Sequence, residues 1–592
     1  MKKLPREHRI IMRCLLLACF VFSVGLSGCN RQSEFDIAEA TTRQRDDTRL
    51  EKSADFRTAM GYLDNLHEFE MSAATTKICY HLHRWASDQK PDPDWIADPL
   101  YSQLPNRLNR MKSILTPLAE KATFSAFDVM MLREAIWMRD LARQMKAAEI
   151  QDSAFAGWLE SAGLDDRVSE DLRIGFSICD WVVRNVELDP IHSKAGHPVE
   201  SPDTEDSGSP EGDSEGPMFR DGADSLPWES LLIGHGDWVS RSRIATLMGR
   251  QLGMNIIMLG IEGDGEDRPW CLGIQLGEQL YLFDMRLGLP VPAEGDQGIA
   301  TLEQVIETPE LVRALDDPDG EAYPVSNADL GNVIGLIDAA PEYLTQRMKI
   351  IEASLTNKSK MVLTCSPSAI KQELNKCKGI VNVRLWTVPY DAYWQRMKMQ
   401  SKRRTAKYMV RLLRDLQLID GNLGHPLAAG RRQHFRGIFA STDDVIGAKE
   451  FYLNSRQSES DISKFDARAG LDKERQKEIE ASKLAALNEL GKTELRKYKR
   501  YASYWLGLIA FDEGNLKMAT NYFDKRLLSV AEQDTIWSQG GRYNLARTLE
   551  QMASDSTGDE AKGLKERARS LYVEDAESPQ YAGNRIRAKR LE

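Results

Sequence analysis

RIATLMGRQLGMNIIMLGI (residues 243–261) followed by PWCLGIQLGEQLYLFD (269–284) is the stretch that decides the fold. Ser240 to Leu252 reads as a helix. Met254 to Ile261 (MNIIMLGI) is an unbroken apolar run of strand length, as expected of a strand buried on both faces. Trp270 to Leu276 and Gln279 to Asp284 flank a turn at Gly277-Glu278, which makes a hairpin. Helix, strand and hairpin in that order indicate an α+β arrangement.

Upstream, residues 171–189 (DLRIGFSICDWVVRNVELD) read as an amphipathic helix. Residues 191–227 hold nine acidic and two basic side chains among many Gly, Pro and Ser; such a segment buries too little apolar surface to order itself and is expected to be an acidic insertion. From 56 to 160 the pattern is helical, with Phe56, Met60, Leu63, Leu66 and Phe69 recurring at three and four residues and Met130, Leu132, Ile136, Leu141 and Met145 doing much the same. Ser125 is placed to cap the second of these. Trp85, Trp95, Trp137 and Trp158 are expected to pack helices. His81 and His83, two apart, fall on different helix faces and do not make a metal site.

Downstream, 301–345 reads as helical and irregular, Met361 to Cys365 and Val381 to Val388 as short strands, 390–418 as helix and 473–553 as helices nearly throughout. The expected organisation is α+β and multidomain: 1–28 a signal segment, 29–55 a tether, 56–165 a helical region, 166–300 the α+β domain with its insertion, 301–472 a mixed connecting region and 473–592 a helical domain. A length of 592 residues exceeds what one core normally serves.

The formal charge is −11; residues 1–28 carry five basic side chains against one acidic, so the remainder is near −15. An acidic body argues against nucleic acid as the main partner. The basic run at 398–407 (KMQSKRRTAK) reads as a solvated helix face. Residues 14–26 (CLLLACFVFSVGL) are too few to span a bilayer, about 20 being needed, and suit a signal-peptide core behind a basic start. The run ends in Leu26-Ser27-Gly28-Cys29, which resembles the bacterial lipoprotein cleavage box. That resemblance implies lipid on Cys29, an anchor in the cell envelope on its periplasmic face, and a membrane contact through that lipid. Asn30 after the Cys leans towards the outer membrane. Of eight cysteines, Cys14 and Cys19 leave with the signal; Cys79, Cys179, Cys271, Cys365 and Cys377 form no CxxC pair and no zinc spacing, so neither metal nor cofactor is expected. Cys365 and Cys377 are the nearest pair.

WVVRNV (181–186), the helix-to-LGI stretch at 243–261 and PWCLGIQLGEQLYLFD (269–284) resemble the transglutaminase-like superfamily, a papain-like α+β fold. RQLG, PW, YLFD and RLGLPVP (286–292) are similar to lipoproteins carrying such a domain. The resemblance implies a Cys-His-Asp triad, a thiolate at a helix start with an imidazole oriented by a carboxylate. Here the Cys position falls on Trp238, the His position on Pro269 or Trp270, and Asp284 alone keeps its identity. Neither indole nor proline attacks a carbonyl or accepts a proton from a thiol, so the resemblance is to a pseudoenzyme. Relocated chemistry would have to use Cys271, or Ser240 and Ser242 near His235 and Asp237; a buried thiol and helix-capping hydroxyls are the plainer readings. Trp238 and Trp270 either fill the old cleft or wall a ligand site.

Residues 501–528 resemble a tetratricopeptide repeat, with Gly507, Ala510, Gly514, Ala519 and Phe523 near that family's spacing. A poorer unit at 537–574, with Leu545-Ala546, Ala568 and Tyr572, carries an expected insertion at 554–563; residues 475–500 are expected to add a helix or helix pair. This implies a protein partner. The functional expectation is a non-catalytic envelope lipoprotein acting as scaffold or protein- or peptide-binding module. The alternatives are a peptidase or amidase with relocated residues, and a purely structural element.

Overall fold

The computed structural model describes residues 48–592 apart from 190–224, 296, 471–479, 530–534 and parts of 90–122, 264–266, 319–321 and 402–425. Cys29, most of the expected insertion and the basic run from 402 onward lie outside the described residues.

The architecture is mixed α+β. Among the described residues eight strands form two sheets: β1 (Glu187–Leu188), β2 (His235–Gly236), β3 (Ile256–Ile261), β4 (Arg268–Leu276), β5 (Gln279–Asp284), β6 (Leu289–Pro290), β7 (Val333–Ile337) and β8 (Asn382–Leu385). β1 and β2 pair in parallel; the larger sheet has the order β6-β5-β4-β3-β7-β8 and is antiparallel except between β7 and β8. The hairpin registers Leu272 with Phe283 and Ile274 with Tyr281, turning at Gly277, whose φ of +61° suits glycine.

Both faces of this sheet are covered, and the side chains sort by the period of two. Ile256 and Met258 of β3, Leu272 and Ile274 of β4, Tyr281 and Phe283 of β5 and Ile334 and Leu336 of β7 point into one core. Ile257, Leu259 and Ile261, Leu280 and Leu282, and Val333 and Ile337 point into a second core, completed by Leu302, Val305 and Leu374. The first core runs without a break from Ala59 through Trp181 and Met248 to Trp505 and Ala588. The amino-terminal helices, the sheet and the carboxy-terminal helices therefore share one interior.

Two expectations need correction. Met361 to Cys365 forms no strand, and 301–345 contains β7, a central strand. β7 is only five residues long and has Gly335 at its middle, because Leu374 and Val383 lie against that position and leave a side chain little room.

The helices start where their caps direct. Ser125 and Asp128 form a capping box for Ala126–Ala147, with the Ser125 N–H bonded to Asp128 at 2.7 Å. Asp165 accepts the Arg167 and Val168 N–H groups at the start of Asp166–Asn185. Trp85 and Trp137 are buried, while Trp95 and Trp158 are half-buried. His81 bonds Asp55 at 2.7 Å and His83 accepts the Phe124 N–H at 2.7 Å. Cys365 and Cys377 are unpaired, as are Cys79, Cys179 and Cys271. Among the described residues no helix is long and apolar enough to cross a membrane.

The carboxy-terminal helices form two hairpins. Ala481–Asp512 turns at Gly514 into Leu516–Thr520, which continues as a π-helical stretch, Asn521–Leu528. Residues 481–500 extend the first hairpin's own helix; they are not a separate pair. Thr535–Ser554 and Gly558–Val573 make the second hairpin, with Ala568 and Tyr572 buried. The expected insertion at 554–563 is only a short turn followed by the first residues of Gly558–Val573. Tyr581–Arg590 closes the chain.

Candidate functional site

The helix Trp238–Gln251 begins at Trp238, the first of the three positions expected from the sequence. Asp237 caps it by accepting the Ser240 N–H at 2.6 Å. Behind it, Arg241 is fully buried. Its guanidinium donates to the carbonyls of Val183 (3.1 Å), Val186 (2.5 Å) and Met285 (3.3 Å) and to Gln580 Oε1 (2.8 Å). One side chain thus ties the helix start to Asp166–Asn185, to the end of β5 and to the last helices of the chain.

Asp284 ends β5 with no exposed surface. Its Oδ1 accepts the N–H groups of Arg286 (2.7 Å) and Leu287 (3.1 Å); its Oδ2 accepts the Arg286 guanidinium (2.9 Å) and the Tyr323 hydroxyl. The Trp270 indole N–H donates to that same hydroxyl at 2.9 Å. The Arg286 guanidinium lies 5.1 Å from the Trp238 ring centre and 5.7 Å from that of Tyr323, within cation–π range. Trp238, Arg286, Asp284, Tyr323 and Trp270 therefore form one continuous chain of contacts. The three sequence-predicted positions are brought together by two residues to which the sequence reading assigned no role, Arg286 and Tyr323. Arg286 stands in the quoted RLGLPVP segment, where an Arg beside an Asp is unremarkable. Tyr323 comes from a segment without periodicity, and nothing local marks it.

Burial sets the electrostatics of the cluster. Trp270 is 1% exposed. Burial opposes the Arg286 charge, but the Asp284 carboxylate outweighs it and holds the pKa above the ordinary arginine value. Burial, reinforced by Asp284, pushes both the Tyr323 hydroxyl and the Cys271 thiol well above their usual ranges, so both stay protonated at neutral pH. A thiol in that state is neither nucleophile nor ligand. Trp238 and Arg286 are half-buried and lie over the outer side of the cluster. A cleft of about 530 Å³ opens elsewhere and touches none of these residues.

The hydroxyls near the helix start bond one another and the backbone. Ser240 Oγ is buried 3.0 Å from Ser225 Oγ, which lies 2.9 Å from Ser230 Oγ; Ser242 donates to the Trp238 carbonyl at 2.8 Å. Ser225 and Pro227, at the end of the expected acidic insertion, are thus placed, one buried among hydroxyls and the other opening the helix Pro227–Ile233. His235 sits on β2, its Nδ1 3.5 Å from Asp189 and its ring 6.2 Å from that of Trp537. Among the described residues no cluster of three His, Cys, Asp or Glu side chains could hold a metal ion.

A second polar group joins the sheet region to the helical hairpins. Glu187 of β1 accepts the Tyr504 hydroxyl and, at 3.3 Å, the Asn544 amide. Asn544 also donates to the Arg184 carbonyl at 3.1 Å, and Arg184 bridges Asp180 and Asp512, each at 2.8 Å. Burial raises the Glu187 pKa to about 7 although Arg241 works against it. In comparisons with known proteins the chain matches no family model, no curated protein and no solved structure.

Proposed function

We propose that this chain is a non-catalytic envelope lipoprotein, anchored by lipid on Cys29, in which a transglutaminase-like domain serves as scaffold and binding module and tetratricopeptide-like terminal helices meet a protein partner. The observation that carries the non-catalytic reading is the saturation of Asp284: both carboxylate oxygens are engaged, inside a cluster closed by Trp270 and Tyr323. A carboxylate that orients a catalytic imidazole must present a free oxygen to it, and here the indole of Trp270 stands in the imidazole's place. The helix start retains a capped amino terminus with its dipole, but Trp238 gives that field nothing to ionise. The anchoring proposal rests on the basic start, the short apolar run and the box at Leu26–Cys29. The partner proposal rests on the two hairpins, where Phe523 packs against Gly507.

Treatment of the folded protein with iodoacetamide and with a fluorophosphonate, followed by peptide mapping, tests the catalytic part. The expected result is no selective labelling at Cys271, Ser240 or Ser242. Bond-making or bond-breaking activity that disappears with Asp284→Ala, in a protein that still folds, would overturn it. Metabolic labelling with a palmitate analogue tests the anchor: label is expected on the wild type and lost in Cys29→Ser.

A further inference from the structure

The cleft of about 530 Å³ lies where the last turns of Ala126–Ala147, the middle of Asp166–Asn185 and the loop 436–439 converge, with Asp512 of the carboxy-terminal helices at its edge. That volume falls within the roughly 300–1,000 Å³ of small-ligand sites. Phe176 and Ile438 give it apolar wall. Three polar atoms of its lining residues, Gln144 Oε1, Ser177 Oγ and Asp512 Oδ2, are shielded from solvent and have no hydrogen-bond partner. Each is open to a hydrogen bond from a ligand or water. Gln144 Oε1 can only accept, so it requires an N–H or O–H from a ligand or water.

Most of the acids around the cleft are paired. Asp140 is bound by Arg139 and Arg432, Asp180 by Arg184 and Arg547, and Asp512 by Arg184. Arg143 spends its guanidinium on the carbonyls of Lys358 (2.7 Å) and Lys360 (3.0 Å), and the Asp140 carboxylate nearby favours its charge. Arg436 also lines the cleft, and among the described residues no acid lies within 4 Å of it. Glu149 at the rim is likewise without a partner and offers a second acceptor for N–H groups. A ligand matching this set has an anionic end, an apolar group and amide N–H donors.

We propose that this cleft binds the carboxy-terminal end of a short peptide, with its carboxylate at Arg436 and Arg143, a backbone N–H at Gln144 and an apolar side chain against Phe176 and Ile438. A fatty acid would satisfy the arginines but leave Gln144 without its donor. The site is independent of the degenerate triad, and its failure would leave the reading of Asp284 unchanged. Because Arg184 and Asp512 connect the cleft to the carboxy-terminal helices, an occupied cleft lies in direct contact with the hairpins.

Isothermal titration of the full chain with N-acetyl-Phe-Leu, its carboxy-terminal amide and decanoate tests the assignment. The free acid is expected to bind, the amide and decanoate at least about tenfold more weakly, since each lacks one of the two recognised groups. Arg436→Gln, at an exposed position, is expected to weaken the free acid about tenfold with an unchanged thermal melt; Ser177→Leu, which fills the cleft, is expected to abolish binding. The proposal is overturned if the free acid does not bind at millimolar concentration, if acid and amide bind equally, if decanoate binds as well as the acid, or if Arg436→Gln has no effect.

Discussion

Replacement of Tyr323 by Phe removes a single oxygen and tests whether the cluster at Asp284 is structural. That oxygen donates to Asp284 Oδ2 and accepts the Trp270 N–H at 2.9 Å, so its loss leaves a buried carboxylate one donor short and a buried indole without an acceptor. A hydrogen bond to a charged group contributes about 1.5–3 kcal/mol, and an orphaned buried donor costs about 1–3 kcal/mol. Arg286 stays beside the carboxylate and offsets part of the first loss, so a destabilisation of about 2–4 kcal/mol is expected from urea unfolding. Trp270→Phe supplies the control: it removes the donor together with ring volume but leaves Tyr323 bonded to Asp284. In the double variant no indole remains to be orphaned, and the two single costs should overlap by about 1 kcal/mol. A Tyr323→Phe variant within 0.5 kcal/mol of wild type, or strict additivity in the cycle, would refute a cluster held by that hydroxyl.

Other outcomes follow from burial. Glu134, Glu187 and Glu342 are buried carboxyls whose pKa is raised, to about 7, 7 and 8 respectively, chiefly by desolvation. Each favours the folded state fully below its unfolded pKa, near 4.5, and loses that contribution as pH rises through its folded pKa. Thermal stability should therefore fall between pH 5 and 8.5, and Glu342→Gln, worth on the order of 3–5 kcal/mol at the alkaline end, should flatten the fall while matching wild type at pH 5; a melt that rises steadily over that window would count against this. Arg241→Met strands three buried carbonyls and removes the cation beside Glu187; breaking a buried charged network typically costs about 3–5 kcal/mol, and limited proteolysis should then release the segment around Gln580 early. Gly507→Leu places a side chain where even a Cβ would sit 2.6 Å from the Phe523 ring; a loss above about 2 kcal/mol is expected, partly recovered by Phe523→Ala.

What could be read from the sequence was local. Met254 to Ile261 and Gln279 to Asp284 announce themselves through apolar runs and a Gly turn, and the structure places β3 and β5 there. β7 was missed because five residues with a central glycine carry too little periodicity, and its strand character comes from lying between β3 and β8. Met361 to Cys365 has the residues of a strand but no sheet edge beside it. The shared interior was invisible for a related reason: Trp505 and Met248 belong to one core only because the chain returns on itself, which no window of neighbouring residues records. At the candidate site, Trp238, Trp270 and Asp284 are expectations from sequence position, whereas the contacts of Tyr323, Arg241 and Gln580 span 39 to 339 residues and leave no local signal.

Asp284 is the residue whose burial most invites a catalytic reading, and its contacts give it a structural role. Its Oδ1 closes a turn by accepting two successive backbone N–H groups, a task that fixes how β5 leads into Arg286 and on to β6. Its Oδ2 then neutralises Arg286, whose guanidinium spreads over the Trp238 ring. Trp270 is buried and Trp238 half-buried around this cluster, and Tyr323 supplies the last donor to the carboxylate. An aspartate in that setting has structural work in every direction its lone pairs point. The turn and the Arg286 pair account for an acidic residue at 284 without invoking catalysis.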